Sequence, residues 1–470
     1  MKEQDIEQFL KSFKVKPIDL ETRQRILTAV SEDKSLVKKI KKIDFSFLTY
    51  PSEILLSLTK KFTKKTYQSA SLVTACFLIV ILSAHLSMVF ISTFELDKSM
   101  PKIDTKKIIS NMSVPDSQNA AIDILQASSI FKNALGENEI TYLASIGENN
   151  FSVNSQNKQI IANILGNENV NKILSLTNNA AEKQSFNTSN IKSDQIDYSA
   201  IKNIAMINIL NAETANNKGK PDEAIENIHK CMKLSKLIAS DNNFVSADTA
   251  IYIDKVALNN LNLILNNKKI DNNTLTKIEN ELNSVDWRVI TSAAIIKEES
   301  QLYESWKKNP ESAKKQLVKE STSITQKIQN SLLNYTPLLK LKIADFQKDL
   351  YKNFSNIEKN QALTKTDQNL YSENLNGLFN VDPKTVVENS YYQQSKVESG
   401  KIYIALKKYH NRYASYPNFI DNLVPEFMSK LPTDPLNGKH FVYEKNDKGF
   451  VVYSEGISSK NTVSWQENIM

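Results

Sequence analysis

The sequence predicts a mainly α-helical protein with one transmembrane helix, an irregular helical-hairpin domain outside the cytoplasm and a small α+β cap at the C-terminal end. Three observations predict it. From Thr66 to Phe94, 29 residues run without an Asp, Glu, Lys or Arg. Only nine of the 470 residues are glycine, about 2% against a usual ~7%; few tight turns favour long helices over a many-stranded sheet. Apolar residues recur at helical spacing from about residue 115 to 410, and beyond that turn signals and short strand-like runs take over.

The first 65 residues form a basic segment that reads as helical in pieces. Ile6, Phe9, Leu10 and Phe13 share one helical face, Pro17 ends that piece, and Asp19 can cap a second one holding Leu20, Ile26, Leu27 and Val30. These faces are too small for a robust domain and suit docking onto a partner or a membrane surface. The segment holds 15 Lys/Arg and 9 Asp/Glu out of a formal net charge of +7, so the rest of the chain carries about one net positive charge. A nucleic-acid groove would need a local basic excess in the large region, and none is present. A basic stretch beside an apolar helix is instead the pattern of a membrane-flanking segment.

Residues 66–94 are expected to cross the bilayer. As a helix they would extend ~43 Å, and a hydrocarbon core needs ~30 Å. The lysines nearest the run are balanced, with Lys60, Lys61, Lys64 and Lys65 before it and Lys98, Lys102, Lys106 and Lys107 after it. The further cluster Lys38, Lys39, Lys41 and Lys42, and the absence of Lys or Arg from Ile108 to Phe131, place the N-terminus in the cytoplasm and the large region outside the cytoplasmic membrane. Cys76 lies in the run and Cys231 far beyond it, which argues against a disulfide between them.

After a linker over 95–114, residues 115–396 read as a helical domain. One stripe is Ile201, Ile204, Ala205, Ile209 and Ala212; a second is Ala224, Ile228, Cys231, Leu234 and Ile238; a third is Ala250, Ile253, Ala257, Leu261 and Ile264. Between the first two, Asn217-Lys218-Gly219-Lys220-Pro221 is a turn with proline at a helix start and acids following. This junction resembles a tetratricopeptide-type hairpin, without a second copy at a ~34-residue period. Residues 397–470 then form the cap. Its helix carries Ile402, Ala405, Leu406 and Tyr409, and its strands Phe441-Val442-Tyr443 and Phe450-Val451-Val452-Tyr453 are joined through Asp447-Lys448-Gly449. Tyr409, Tyr413, Tyr416, Pro417, Phe450 and Tyr453 are its expected core.

The cap carries a resemblance. Ala405-Leu406-Lys407-Lys408-Tyr409-His410-Asn411-Arg412-Tyr413, Tyr416-Pro417, Leu423-Val424-Pro425, Leu431 to Lys439 and Gly449 to Ser454 resemble, in order over about 60 residues, the soluble head of type II secretion major pseudopilins. In that family a short leader and an apolar polymerising helix carrying a glutamate stand directly before the head; here the apolar run lies over 300 residues upstream of the cap and has no such motif. From Ser458 to Met470 the only acid is Glu467, so the family's calcium site is not carried over. The whole layout, with Asn119-Ala120-Ala121, the hairpin at Gly219 and Asp286-Trp287 before another helix, is similar to large single-pass proteins of the planctomycete and lentisphaera type. That resemblance implies architecture and no mechanism.

His85 and Cys76 sit in the apolar run and read as tolerated or interface residues. His229 and Cys231 are two apart on a helix, so their side chains diverge and make a poor metal pair; they read as a surface histidine and a core cysteine. His410 and His440 lack a third ligand. No phosphate loop, metalloprotease helix or nucleophile elbow occurs, and the carboxylates read as solvated helix faces. The sequence assigns no catalytic, cofactor-binding or metal residues, no cofactor, no nucleic-acid partner and no small-molecule substrate. Membrane lipid and other proteins are the expected partners. The reading is a non-enzymatic envelope protein that binds or scaffolds, linked to secretion or surface assembly. Its alternative is a membrane-anchored anti-sigma-type signalling protein that grips a cytoplasmic partner with residues 1–65.

Overall fold

Helix formation follows the apolar stripes, and side-chain caps open most of the helices. The computed structural model describes residues 82–95, 115–148, 157–188, 191, 195–266, 269–309, 340–341, 343–344, 382–447, 449–456 and 463–468. The chain divides into two compact units, Met1–Phe90 and Ile91–Met470. The helical pieces expected in 1–65, the first part of the apolar run (66–81) and the linker over 96–114 lie outside the described residues. Residues 82–95 form a helix, α1, on which Leu82, Leu86, Phe90 and Ile91 are exposed. Among the described residues no helix is long and apolar enough to cross a membrane.

The second unit is mainly helical with a small three-stranded sheet. Helices α2 (Ala120–Phe131), α3 (Glu137–Glu148), α4 (Lys158–Gly166) and α5 (Glu168–Ala181) come first. Asn119 caps α2 by accepting from the Ala121 amide. The same side chain accepts from the Asn187 amide at 3.0 Å and donates to the Asn187 carbonyl at 2.9 Å, strapping the chain after α5 across the start of α2. Helices α6 (Tyr198–Asn217), α7 (Pro221–Ala239) and α8 (Phe244–Leu265) then pack on one another. Every residue of the three predicted stripes is buried on them. The α6–α7 turn also forms as expected. Gly219 adopts φ +73°, a left-handed conformation that glycine takes without steric cost. Pro221 opens α7, with Asp222 and Glu223 in its first turn.

Helices α9 (Asn272–Asn283) and α10 (Trp287–Lys308) follow, the latter capped by Asp286. Then comes α11 (Pro383–Tyr413), 31 residues long, which runs unbroken through the expected domain boundary at 396/397. It starts with the Asp382 side chain accepting from the Lys384 amide and ends where Ala414 turns left-handed at φ +56°. Its flanks pack on α8, α9 and α10 and on the sheet.

The sheet corrects the expected hairpin. Strands β1 (Val442–Asn446), β2 (Gly449–Tyr453) and β3 (Ser464–Asn468) pair antiparallel in the order β1-β2-β3. The third strand went unread because its cue is five residues long and polar at four of them, with Trp465 the one apolar residue. Register sets Tyr443, Val452 and Trp465 in one row and Lys445, Phe450 and Glu467 in the next, and alternation puts both rows on one face. The cap core also differs from expectation. Tyr403, Tyr416, Leu436, Phe441, Phe450, Val452 and Trp465 are buried, whereas Tyr413 is 47% exposed and Tyr453 is only half-buried, its hydroxyl donating to Glu444. Tyr453 falls on the sheet face opposite Phe450 and Val452, since alternate residues point to opposite faces.

This burial predicts unequal effects of two truncations. Phe450→Ala should destabilise the fold by ~3–5 kcal/mol and release the segment after Tyr413 to proteases. Tyr453→Ala should cost less than ~1 kcal/mol, as substitutions away from the core do. Chemical denaturation followed by limited proteolysis checks both, and equal costs would contradict the register.

Candidate functional site

No site of turnover chemistry assembles among the described residues, and the polar groups that converge do so along α11. The first cluster is at its C-terminal half. Tyr403 and Lys407, one turn apart on the same face, reach Glu467 of β3. The Lys407 ammonium is 2.9 Å from Glu467 Oε1 and donates to the Leu265 carbonyl at the end of α8 at 3.2 Å. The Tyr403 hydroxyl donates to the other carboxylate oxygen. Lys407 and Glu467 side chains are 5% and 4% exposed. Burial, and then the Glu467 charge, push the Tyr403 hydroxyl well above its ordinary range. One turn before Tyr403, Gly400 lets the Trp465 indole lie against the helix: an added Cβ would sit 2.8 Å from Trp465 Cζ2. The indole nitrogen donates to the Lys396 carbonyl at 2.9 Å, and the Lys396 ammonium sits 4.9 Å from the ring centroid.

The second cluster ties the turns of the cap to α11. Asp434, 1% exposed, accepts from the Ser395 hydroxyl at 2.8 Å and the Leu436 amide at 3.0 Å on one oxygen, and from the Ser454 hydroxyl at 2.5 Å on the other. A third group lies deeper, where Asp254 of α8 meets Trp287 of α10 and Gln393 of α11. Thus three acids that read as solvated in the sequence are buried. The available signal was alternation for Glu467, which shares a strand face with Trp465, and an Asp-Pro turn for Asp434. For Asp254, set within the Ile253 and Ala257 stripe, the signal was its place one residue from a core position.

The histidines and cysteines do not converge. His229 bonds Glu281 of α9 at 2.9 Å, and Lys236 pairs with the same carboxylate. Burial raises the Glu281 carboxyl, but those two partners outweigh it and hold it below the usual range. Cys231 is 1% exposed, directs its thiol at the Ala205 carbonyl, and is pushed up to about 12 by burial and the nearby Asp254 charge. His410 stacks on Tyr416 at 4.6 Å, and His440 is exposed on a backbone bridge to Thr433. His85 is exposed on α1, and Cys76 lies outside the described residues. Among the described residues no group of three or more His, Cys, Asp or Glu is placed to hold a metal ion. An open hollow between Leu135, Gly136, Glu139, Asn163 and Asn167 holds one charged side chain and no nucleophile.

What the cap does present to solvent is a braced loop. The Tyr443 hydroxyl donates to the Pro417 carbonyl at 2.8 Å, and the Lys445 ammonium bonds the Tyr416 carbonyl at 2.8 Å and Asn418 Oδ1 at 3.0 Å. At the end of this loop Phe419 is 71% exposed.

Two outcomes follow from the first cluster. Lys407→Ala strands a buried carboxylate and should cost ~3–5 kcal/mol, whereas Lys407→Met with Glu467→Leu should recover most of that loss. Denaturant titration of both proteins checks this, and an intact Tm in the single variant would contradict the pairing. Gly400→Ala should be destabilising by ~1–3 kcal/mol despite alanine's helix propensity, because the fully buried indole has nowhere to move; a rise in Tm would contradict the contact.

The chain matches no protein-family model, no curated protein and no solved structure.

Proposed function

We propose that this is a non-enzymatic, single-pass protein of the cytoplasmic membrane, with residues 1–65 in the cytoplasm and the large unit outside, acting as a binding or scaffolding module. The observation that carries the reading is that one helix serves both halves of the large unit. Lys407 of α11 bonds the end of α8 and the last strand of the cap at once. The cap is therefore held in a fixed orientation on the helical array, as a display surface needs and a tethered domain lacks. Its braced loop offers Phe419 to solvent, and a rigidly held exposed aromatic is the type of group that anchors a protein contact. A pseudopilin-like cap of this kind, a long helix on an antiparallel sheet, fits a role in secretion or surface assembly. The membrane anchor rests on the uncharged run of residues 66–94 and on ~0.8 kcal/mol gained per buried CH₂.

Full-length protein should remain in the membrane fraction through a carbonate wash, and deletion of 69–94 should release it. In a Cys76→Ser background, Phe419→Cys should react with an impermeant thiol reagent in cells with a permeable outer envelope. Buried Cys231 should stay silent. Recovery of the intact chain in the soluble fraction, or labelling of Phe419→Cys only after lysis, would overturn the arrangement. Partners cross-linked through residues 1–65 and none through 95–470 would favour the signalling alternative.

A further inference from the structure

Asp254 lies where α8, α10 and α11 meet, and it is 2% exposed. A single carboxyl oxygen, Oδ2, accepts both from Trp287 Nε1 at 2.9 Å and from Gln393 Nε2 at 2.5 Å. Both donors are neutral. Next to them the Trp287 amide donates to Gln394 Oε1 at 2.9 Å, so the same junction is bolted twice. Three other buried acids are provided for differently. Glu467 has the Lys407 ammonium, Asp434 has three donors over both oxygens, and Asp241 takes the Thr188 amide, the Thr188 hydroxyl and the Asn243 amide group.

We propose that Asp254 is a proton-operated latch: the joint between the helical array and α11 is tightest with this carboxyl protonated and loosens when it ionises. A carboxyl without its charge sits in a dry site at little cost, whereas a carboxylate there loses its hydration with only neutral donors in return. The surroundings do not supply a counter-charge in contact. From α7 come Cys231 and, further off, Lys236, whose attraction favours the ion. From α9 comes Glu281, engaged with His229 and Lys236, whose charge opposes it. Helices α10 and α11 bring Trp287 and Gln393, neither of which titrates, and α6 approaches through the Ala205 carbonyl beside Cys231. Burial is the largest influence, and it raises the carboxyl from 3.8 to about 6 against the two hydrogen bonds. The sign follows. A folded-state value above the unfolded one means that stability is fully present below about pH 3.8 and is lost as pH rises through about 6. Beyond about pH 7 both states are ionised and the dependence ends.

Native-state hydrogen exchange on the full chain, with protection converted to opening constants, reads the latch directly. Between pH 4.5 and 7 the opening constant of α11 residues 383–398 should rise ~20-fold. The packed pair α2 and α5 serves as the internal reference and should show no such rise. Asp254→Asn should flatten the response of α11. Gln393→Leu removes a donor that favours the ion and should move the midpoint upward, which decides the matter even where Asp254→Asn does not fold. A response of α11 no larger than that of α2 and α5, an equal response in Asp254→Asn, or an unmoved midpoint in Gln393→Leu would each overturn the proposal.

Discussion

Lys407 holds two parts of the molecule with one ammonium group. Its stem crosses the packed face of α11, and its head lies between the last carbonyl of α8 and the carboxylate of Glu467. Removing such a charge from water is expensive, and the arrangement is favourable only because the carboxylate is met by the ammonium and the Tyr403 hydroxyl together. The strand that carries Glu467 is the last described element of the chain, so its docking waits on groups placed 60 residues earlier. Strand β3 in turn covers β2 and delivers Trp465 to the notch at Gly400. The sheet face, the helix face and the array therefore close around a single buried ion pair.

The rest of α11 shows why polarity is needed in that position. A long helix packed on several neighbours through apolar contacts alone can slide by a turn or rotate by a residue, because the hydrophobic effect has no direction. Buried hydrogen bonds have direction, and a slipped register would leave their partners unmet. Ser395 finds Asp434, Gln393 finds Asp254, and Gln394 finds the Trp287 amide. These bonds face the cap on one side and the array on the other. Each is modest in free energy, and together they define one axial and rotational setting for the helix.

How much of this could be read in the sequence depended on the range of the signal. The stripes of α6, α7 and α8 and the Gly219 turn are local patterns, and the structure follows them residue for residue. The expected 396/397 boundary falls inside one helix: residues 397–410 read as helical in sequence, and the same backbone hydrogen bonding runs from Pro383 to Tyr413 with no proline after the first position. Strand β3 had no local signature strong enough to stand alone; its stability comes from β2 and from α11. The acids were misjudged for the same reason. An Asp inside a helix and a Glu near a chain end are solvated by default, and only the distant partners Gln393, Trp287 and Lys407 make Asp254 and Glu467 interior groups.

Asp254 and Glu467 also give α11 different attachments along its length. From Gln393 to Lys407 the helix rises ~21 Å, a stiff rod on the scale of the domain. At the Lys407 end the carboxylate is met by an ammonium of opposite charge. At the Gln393 end the carboxyl faces neutral donors, and ionisation weakens the hold. A change of protonation that loosens the second attachment leaves the first intact, so the helix would pivot about the Lys407 contact and carry the sheet with it as one body. Helix α9 holds the same end of α11 as Lys407 does, through Lys408 and Glu279 and through Asn411 and Asn272. The braced loop bearing Phe419 hangs from the same end, and its position relative to α10 and to the start of α11 is the quantity such a pivot would alter.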